Sequence, residues 1–599
     1  MKKRFCAFSA LTILLCAALW LLCLRAPQTQ PLGDSLQSGT VEDYERTIAY
    51  VPLDDRPDNL ERAVYLAESL GYTVLLPDVD LYATRLDGQP RNENGTGHGD
   101  RGALLQWVAE MDALGCNTFL LSCDQLLSGG LVNSRAMTES EDILFPDGTV
   151  LSEDQAMETY LLSLAEDENN RVYLFDSVMR LASTVGYNGF DLAYYNAIRS
   201  YGKVPRPAVN TLEPTYETVV STYPLGAETK SAVDGVEEEA QRALLTEEVV
   251  ADYLSARARK LHLTEYLLSK CNGEKFKNFH FMIGVDDSSA ERNIQTMELT
   301  YIENLIAKRG MGDILLNGVD DLAMMLIARM AQDEYNRPIA VYSEYFGGGE
   351  NKPATPYDHQ VYCDTVTFHV EALDGFEVDT PAEADLQILA LSAPAEKEKA
   401  DEYVNALLAR LKENEENNIP TILLDASDNS YPALQSRLMQ EVSLGSLIGY
   451  AGYCDLAIVA GAGVSQGFAR YLYLAESEHK SDACDAAFVK SMAEGLMLSI
   501  PFKTDTKPLL NSFIVNSLHL NPDNILGSSM QMDLLSRKVD ALLTEKSAAL
   551  CENLTGSSIL SSLAPLEEKT VGGVSITDGY LPWNRTFEVS CTITVEPFA

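Results

Sequence analysis

One feature limits the fold of this chain more than any other. Short, continuous apolar runs rich in β-branched residues recur along it, and helical patterns separate them. The runs fall at 47–53, 72–77, 117–123, 171–176, 279–285, 312–318, 338–345, 365–373, 385–392, 420–427 and 454–461. Runs without polar alternation belong to strands covered on both faces. Between them lie helical patterns such as DNLERAVYLAESLG (58–71), ALLQWVAEMDALG (103–115) and DDLAMMLIARMAQ (320–332). Gly71 and Gly115 stand where the first two should stop. Alternation of β and α gives a parallel sheet or barrel with helices outside. The expected class is α/β with a parallel-sheet core. A (β/α) barrel-like half is expected over 46–350, with a helical insertion near 203–270. An open doubly wound sheet follows over 360–480, then a helical and β-containing tail over 481–599. Two open sheets are the alternative for the pair.

The amino terminus carries a separate signal. Lys2, Lys3 and Arg4 precede an apolar run of 20 residues, 5–24, enough to span a bilayer core of ~30 Å as a helix. The run ends in LLCLRAP, without a small-x-small cleavage site. Residues 1–25 are therefore expected to be a signal anchor with the basic end in the cytoplasm. A cleaved signal peptide is the alternative. Residues 26–45 are polar, contain Pro and Gly, and read as a linker. The expected location is the cell membrane, by one N-terminal pass, with the bulk extracytoplasmic.

The charge balance, 45 basic against 88 acidic residues or −43, repels phosphate backbones and argues against a nucleic-acid partner. Three of the 11 cysteines fall in the apolar run, and the others form no CxxC. That excludes a disulfide scaffold or a zinc ribbon.

Chemistry concentrates where strands should end. The first run stops at Asp54, Asp55 and Arg56. Others deliver Asp124, Asp176 with Arg180, Asp286 with Asp287, Glu344, and Asp425 with Asp428. In parallel α/β folds the carboxyl ends of strands gather on one rim, and ligands bind there. An Asp after a strand is also the ordinary N-cap of the next helix. Two adjacent Asp exceed what one cap needs, so Asp54, Asp55, Asp286 and Asp287 are the catalytic candidates. Arg56 and Arg135 would pair with them or with an anionic substrate group. Paired carboxylates serve as acid and base, or as acid and nucleophile, as in glycoside cleavage. No cofactor is expected, although such a cluster also suits Ca²⁺ or Mg²⁺. Seven histidines without HExxH give no zinc signature. His98 lies in a Gly/Asn loop placed to reach a ligand, although a solvated turn is the plainer role. GAGVSQG (461–467) lacks the full phosphate-loop spacing, and helix packing is the plainer explanation. EYFGGGENKPATPYDH (344–359) is a glycine-rich loop after a strand, a place where function is common.

The segments YVPLDDRPDN (50–59), SCDQLLSGGLVNSR (122–135), LFDSVMR (174–180), VDDSS (285–289), NGVDDLAMMLIAR (317–329) and LPWNRTFE (581–588) together resemble the bacterial domain-of-unknown-function family 4127, over about 46–590. The resemblance carries no activity with it. It implies that the motif residues form one constellation: Asp54, Arg56, Pro57, Asn59, Asp124, Gly129, Gly130, Ser134, Arg135, Asp286, Asp287, Trp583, Asn584, Arg585 and Glu588. The chain departs from the family at Tyr453 and Cys454, where members carry a Trp-Asn pair.

The functional expectation is an Asp-dependent hydrolase acting on a carbohydrate-type substrate. Arg56, Asn59, Asp124, Asn133, Arg135, Asn584 and Arg585 are its substrate-binding candidates. The alternative is a non-catalytic glycan- or solute-binding surface protein.

Overall fold

A computed structural model describes residues 46–84, 97–138, 141–185, 191–209, 213–271, 278–311, 314–452 and 456–598. The apolar run 5–24, the linker and the Tyr453–Cys454 pair lie outside these. Among the described residues no helix is long and apolar enough to cross a membrane.

Nine of the eleven apolar runs become strands. β1 (Thr47–Val51), β2 (Thr73–Leu75), β3 (Thr118–Ser122), β4 (Arg171–Val178), β5 (Phe279–Val285) and β6 (Leu315–Asn317) make a six-stranded sheet. Its order is β2-β1-β3-β4-β5-β6, and all its pairs are parallel. β1 and β3 are buried at every position, as strands under helices on both faces must be. A second sheet contains β7 (Ile339–Phe346), β8 (Gly375–Glu377), β9 (Leu386–Ser392), β10 (Thr421–Ala426) and β11 (Gly449–Gly452), in the order β8-β7-β9-β10-β11, again all parallel. Both halves are thus open doubly wound sheets. The barrel-like first half does not form. Its edges, β2 and β6, are three residues each and do not pair with one another, because the chain turns back over β1 between β2 and β3.

The topology locates a site. The winding reverses between β1 and β3, and the rim above the carboxyl ends there is where open sheets bind ligands. Helix α1 (Glu61–Ser69) follows β1, and helix α2 (Glu247–Lys270) is the long helix of the expected insertion. Helix α3 (Leu322–Tyr335), from the first sheet, packs along helix α5 (Leu456–Glu476), from the second, and one apolar core runs through both sheets.

Two runs expected as strands are helices. The run 365–373 lies in helix α4 (Tyr362–Glu371), whose buried residues Tyr362, Thr365, Val366, His369 and Val370 follow helical spacing. From Leu456 onward the run 454–461 lies in α5, whose apolar residues continue far beyond one strand length. A helix buried all round reads like a buried strand until its length is considered. GAGVSQG falls inside α5, where Cβ atoms on Gly463 and Gly467 would each come within 2.2 Å of Leu424 and Ile422 of β10. It is a helix-packing face, as the plainer reading held.

The tail holds a helix, Ser529–Leu554, and two antiparallel hairpins. β12 (Ser558–Leu563) pairs with β13 (Leu566–Thr570), and β14 (Gly573–Tyr580) pairs with β15 (Ser590–Glu596). The connection between β14 and β15 carries the PWNRTFE segment.

Candidate functional site

A cleft of about 330 Å³ opens along the carboxyl rim of the first sheet. Five of that sheet's strands deliver to it. Arg56 comes after β1, Arg135 after β3, Arg180 after β4, Asp286 and Asp287 after β5, and Asn317 and Asp320 from the end of β6 and beyond. Tyr357 and Asp358 come from the loop after β7 of the second sheet. Trp583, Arg585 and Phe587 come from the β14–β15 connection. Residues more than 500 positions apart in the chain therefore share one wall: Trp583 Nε1 donates to Asp55 Oδ1 at 2.8 Å.

The β1 end is a clamp. Arg56 donates from Nε to both Asp54 oxygens at 3.0 Å and from Nη2 to Asp54 Oδ2 at 2.8 Å. The same guanidinium holds Asp320 with Nη2–Oδ1 at 2.5 Å and Nη1–Oδ2 at 3.1 Å. Asn59 joins the two acids, donating to Asp54 Oδ1 at 3.1 Å and Asp320 Oδ1 at 3.0 Å. Asp54 is fully buried, and burial raises its pKa despite Arg56. Burial acts on Asp320 too, but Arg56 and Asn59 outweigh it and hold the carboxyl below its usual range. Glu588 approaches Arg56 Nη1 at 3.7 Å. The guanidiniums of Arg56 and Arg585 each lie 4.8 Å from the centroid of the Trp583 ring, cation–π contacts that hold the indole.

The opposite wall pairs acids with arginines one to one. Arg135 Nη1 bonds Asp286 Oδ2, and Arg135 Nε donates to Thr184 Oγ1 at 3.0 Å. Burial nevertheless dominates this pair, pushing Asp286 up and Arg135 down. Arg180 donates to Asp287 Oδ2 at 3.1 Å and is held by the carbonyls of Ala182 and Ser183.

Asp358 has a different setting. It accepts from Thr355 N at 2.7 Å, Thr355 Oγ1 at 2.8 Å and Asn317 Nδ2 at 3.3 Å, all neutral donors. Burial pushes it up to about 6, and Asp287 adds to the push. His359, held neutral by burial at about 4, bonds Asn317 Oδ1 through Nδ1 at 3.0 Å. This fixes the Asn317 amide so that its NH₂ faces Asp358. Asp358 is itself among the residues that line the cleft.

The positions read from sequence fall into three groups. Arg56, Arg135, Asp286, Asp287 and Arg585 line the cleft. Asp54, Asp55 and Asn59 stand directly behind that lining, bonded to Arg56, Trp583 and Asp320. Asp124, Asn133 and Asn584 are elsewhere. Asp124 is buried with Asp176 against Lys260 of α2, whose Nζ is 2.7 Å from Asp124 Oδ1. Asn133 donates to the Ser128 carbonyl at 2.7 Å within its own turn. The Asn584 carbonyl accepts from Ile525 N at 2.8 Å, with the backbone at φ 51°. None of the Asp candidates caps a helix by its side chain; Ser122 and Asn293 do that work after β3 and β5. Glu344 and Asp425 belong to the second sheet, and they bond Arg410 and the Ser427 amide instead. His98 bonds the Gly99 carbonyl and is not on the lining. Among the described residues no three His, Cys, Asp or Glu side chains gather as metal ligands would.

Sequence reasoning did not assign Asp320, Tyr195, Asn317, Tyr357, Asp358 or Phe587 to the site. The signal for Asp320 was present: the chain has three adjacent Asp-Asp pairs, 54–55, 286–287 and 320–321, and the third also follows a strand. Tyr357 and Asp358 lie on the glycine-rich loop. Gly347 and Gly348 adopt φ 100° and 75°, and Ser288 N bonds the Tyr357 carbonyl at 2.7 Å, bringing the loop over the Asp286–Asp287 turn.

A family model described as "Protein of unknown function (DUF4127)" matches residues 48–592, in agreement with the resemblance of the motifs. No curated protein and no solved structure matches the chain.

Proposed function

The chain belongs to the DUF4127 family of proteins of unknown function, and from the cleft's chemistry we propose that it is an Asp-dependent hydrolase of a carbohydrate-type substrate. The observation that carries this reading is the contrast between two carboxyl groups on one cleft. Asp358, surrounded by neutral donors, is pushed up to about 6, so it holds a proton in the weakly acidic range. Asp287 keeps the Arg180 guanidinium as its counter-ion at 3.1 Å. Carboxyl groups set apart by their surroundings are the pattern of acid and base, or acid and nucleophile. Asp358 is the acid that protonates the leaving oxygen. Asp287 is the anionic partner, acting on water or on the anomeric carbon. Asp286, Arg135, Arg56 and Arg585 orient hydroxyl or anionic groups of the substrate, and Trp583, Tyr195 and Tyr357 supply ring faces for sugar C–H groups. The N-terminal apolar run fits this role, holding the protein at the outer membrane surface where glycans are the common polar polymers.

Wild type should release product from at least one substrate in a panel of chromogenic glycosides and cell-wall fragments. Asp358→Asn and Asp287→Asn should each lower kcat by about 10²–10⁴ while substrate still binds. A second reading, a non-catalytic glycan- or solute-binding protein, is favoured by one specific observation: most acids on the lining are already neutralised by arginines. Saturable binding with no turnover by wild type on any panel member would support that reading.

A further inference from the structure

A second cavity, of about 490 Å³, lies at the amino ends of the second sheet. The end of the helix Ala400–Glu416, the residues just before β10 and β11, and the β12–β13 hairpin build its wall. Its volume is in the range of small-molecule pockets. The charges on the wall do not balance. Lys412 Nζ donates to Glu441 Oε2 at 2.7 Å, and Arg437 takes the other oxygen at 2.7 Å. Glu415, Glu416 and Glu568 also line the cavity, and among the described residues none of the three has a cationic partner. Glu415 accepts only from Ser443 N, at 3.3 Å, and Glu568 from Ser558 Oγ, at 2.6 Å. The helix adds to the imbalance. Its last turn contains no basic residue, although the carbonyl end of a helix favours cations and disfavours acids. Asn414 gives an independent sign. It is 1% exposed and lines the same cavity. Its Nδ2 donates to Gln387 Oε1 of β9 and Thr421 Oγ1 of β10, each at 3.0 Å, and neither of those residues is on the wall. Its Oδ1 is buried without a partner. The two ends of an amide diverge, so with Nδ2 on the strand side Oδ1 is the end left for the cavity, an acceptor that a donor must satisfy.

We propose that this cavity binds a linear polyamine, whose ammonium groups meet Glu415, Glu416 and Glu568 while one N–H satisfies Asn414 Oδ1. A spaced set of positive charges fits better than one metal ion, because among the described residues no three acids converge as the ligands of a single ion would. The site is independent of the reading of the cleft. Among the described residues the two share no lining residue, and one stands at strand carboxyl ends, the other at strand amino ends.

Calorimetry on the full chain in low salt tests this, with spermidine, Mg²⁺ and 1,8-octanediol as probes. Spermidine should bind one per chain, about tenfold or more tightly than either of the others, and its affinity should fall several-fold at about 0.3 M salt. Glu416 and Glu568 are exposed, so Glu416→Gln with Glu568→Gln should leave the unfolding midpoint of the free protein at its wild-type value. The pair should weaken spermidine about tenfold or more. A chain of charge −43 also attracts polycations without a site. Glu238→Gln with Glu239→Gln, exposed acids outside the cavity, makes the same change in charge and should alter spermidine binding less than about twofold. Equal weakening by the two pairs, no effect of the cavity pair, or binding of Mg²⁺ or the diol as tightly as spermidine would overturn the site.

Discussion

Asp358 shows how one residue couples chemistry to stability. Its carboxyl sits at about 6 in the fold against 3.8 ordinarily, so the native state holds the proton more tightly than the unfolded chain. The stability this gives is fully present below pH about 4 and is lost as pH rises through about 6. Asp358→Asn should therefore gain on wild type between pH 4 and pH 8, by on the order of 3 kcal/mol at most, in urea unfolding at both values. Activity should fall above pH about 6 as the acid loses its proton. Trp583 is a second test at this scale. Trp583→Phe keeps a ring beside Arg56 and Arg585 but removes the 2.8 Å bond to Asp55, a buried acceptor. The expected cost is about 1–3 kcal/mol, seen as a lower urea midpoint without loss of fold.

At the scale of elements, α2 is pinned by charge. Lys260 sits between Asp124 and Asp176, and Arg257 bonds Glu298 together with the Met179 and Arg180 carbonyls. The insertion helix thus sets the backbone that aims Arg180 at Asp287. Lys260→Met should cost about 3–5 kcal/mol, because it strands two buried carboxylates; adding Asp124→Asn and Asp176→Asn should recover much of that loss. Thermal unfolding of the single and triple variants checks both statements. Strands β1, β3, β5, β9 and β10 were legible because their runs are short, apolar and bounded by turn residues. Helices α4 and α5 were not, for different reasons. In α4 the β-branched and aromatic residues Val366, Phe368 and Val370 mask a helical burial pattern. In α5 the apolar residues go all round, and only its glycines hint at the close packing. A Cβ on Gly461 would lie 1.6 Å from Asp321 Oδ2, and that acid faces His369 of α4 at 3.3 Å. No local pattern announces a contact of this kind.

Across the whole molecule, the cleft exists because two doubly wound sheets and the C-terminal hairpin meet at the rim of the first sheet. The acidic strand ends of that sheet were readable in the sequence, since a parallel topology places carboxyl ends together. Its division of labour was not. Asp54 and Asp55 read as reactive but turn inward to hold Arg56 and Trp583, whereas Asp358, in a loop of the other sheet, carries the environment an acid needs. Burial and hydrogen-bond partners decide between such roles, and both depend on chain segments hundreds of residues away. The central claim is that the cleft raises one carboxyl, Asp358, to about 6 among neutral donors, where its neighbours are paired with arginines. Carbon-13 NMR titration of the aspartate carboxyls, with Asp358→Asn to assign the resonance, tests it most directly. The account predicts an Asp358 midpoint near 6. A midpoint near 4, in the range of a solvated aspartate, would contradict it.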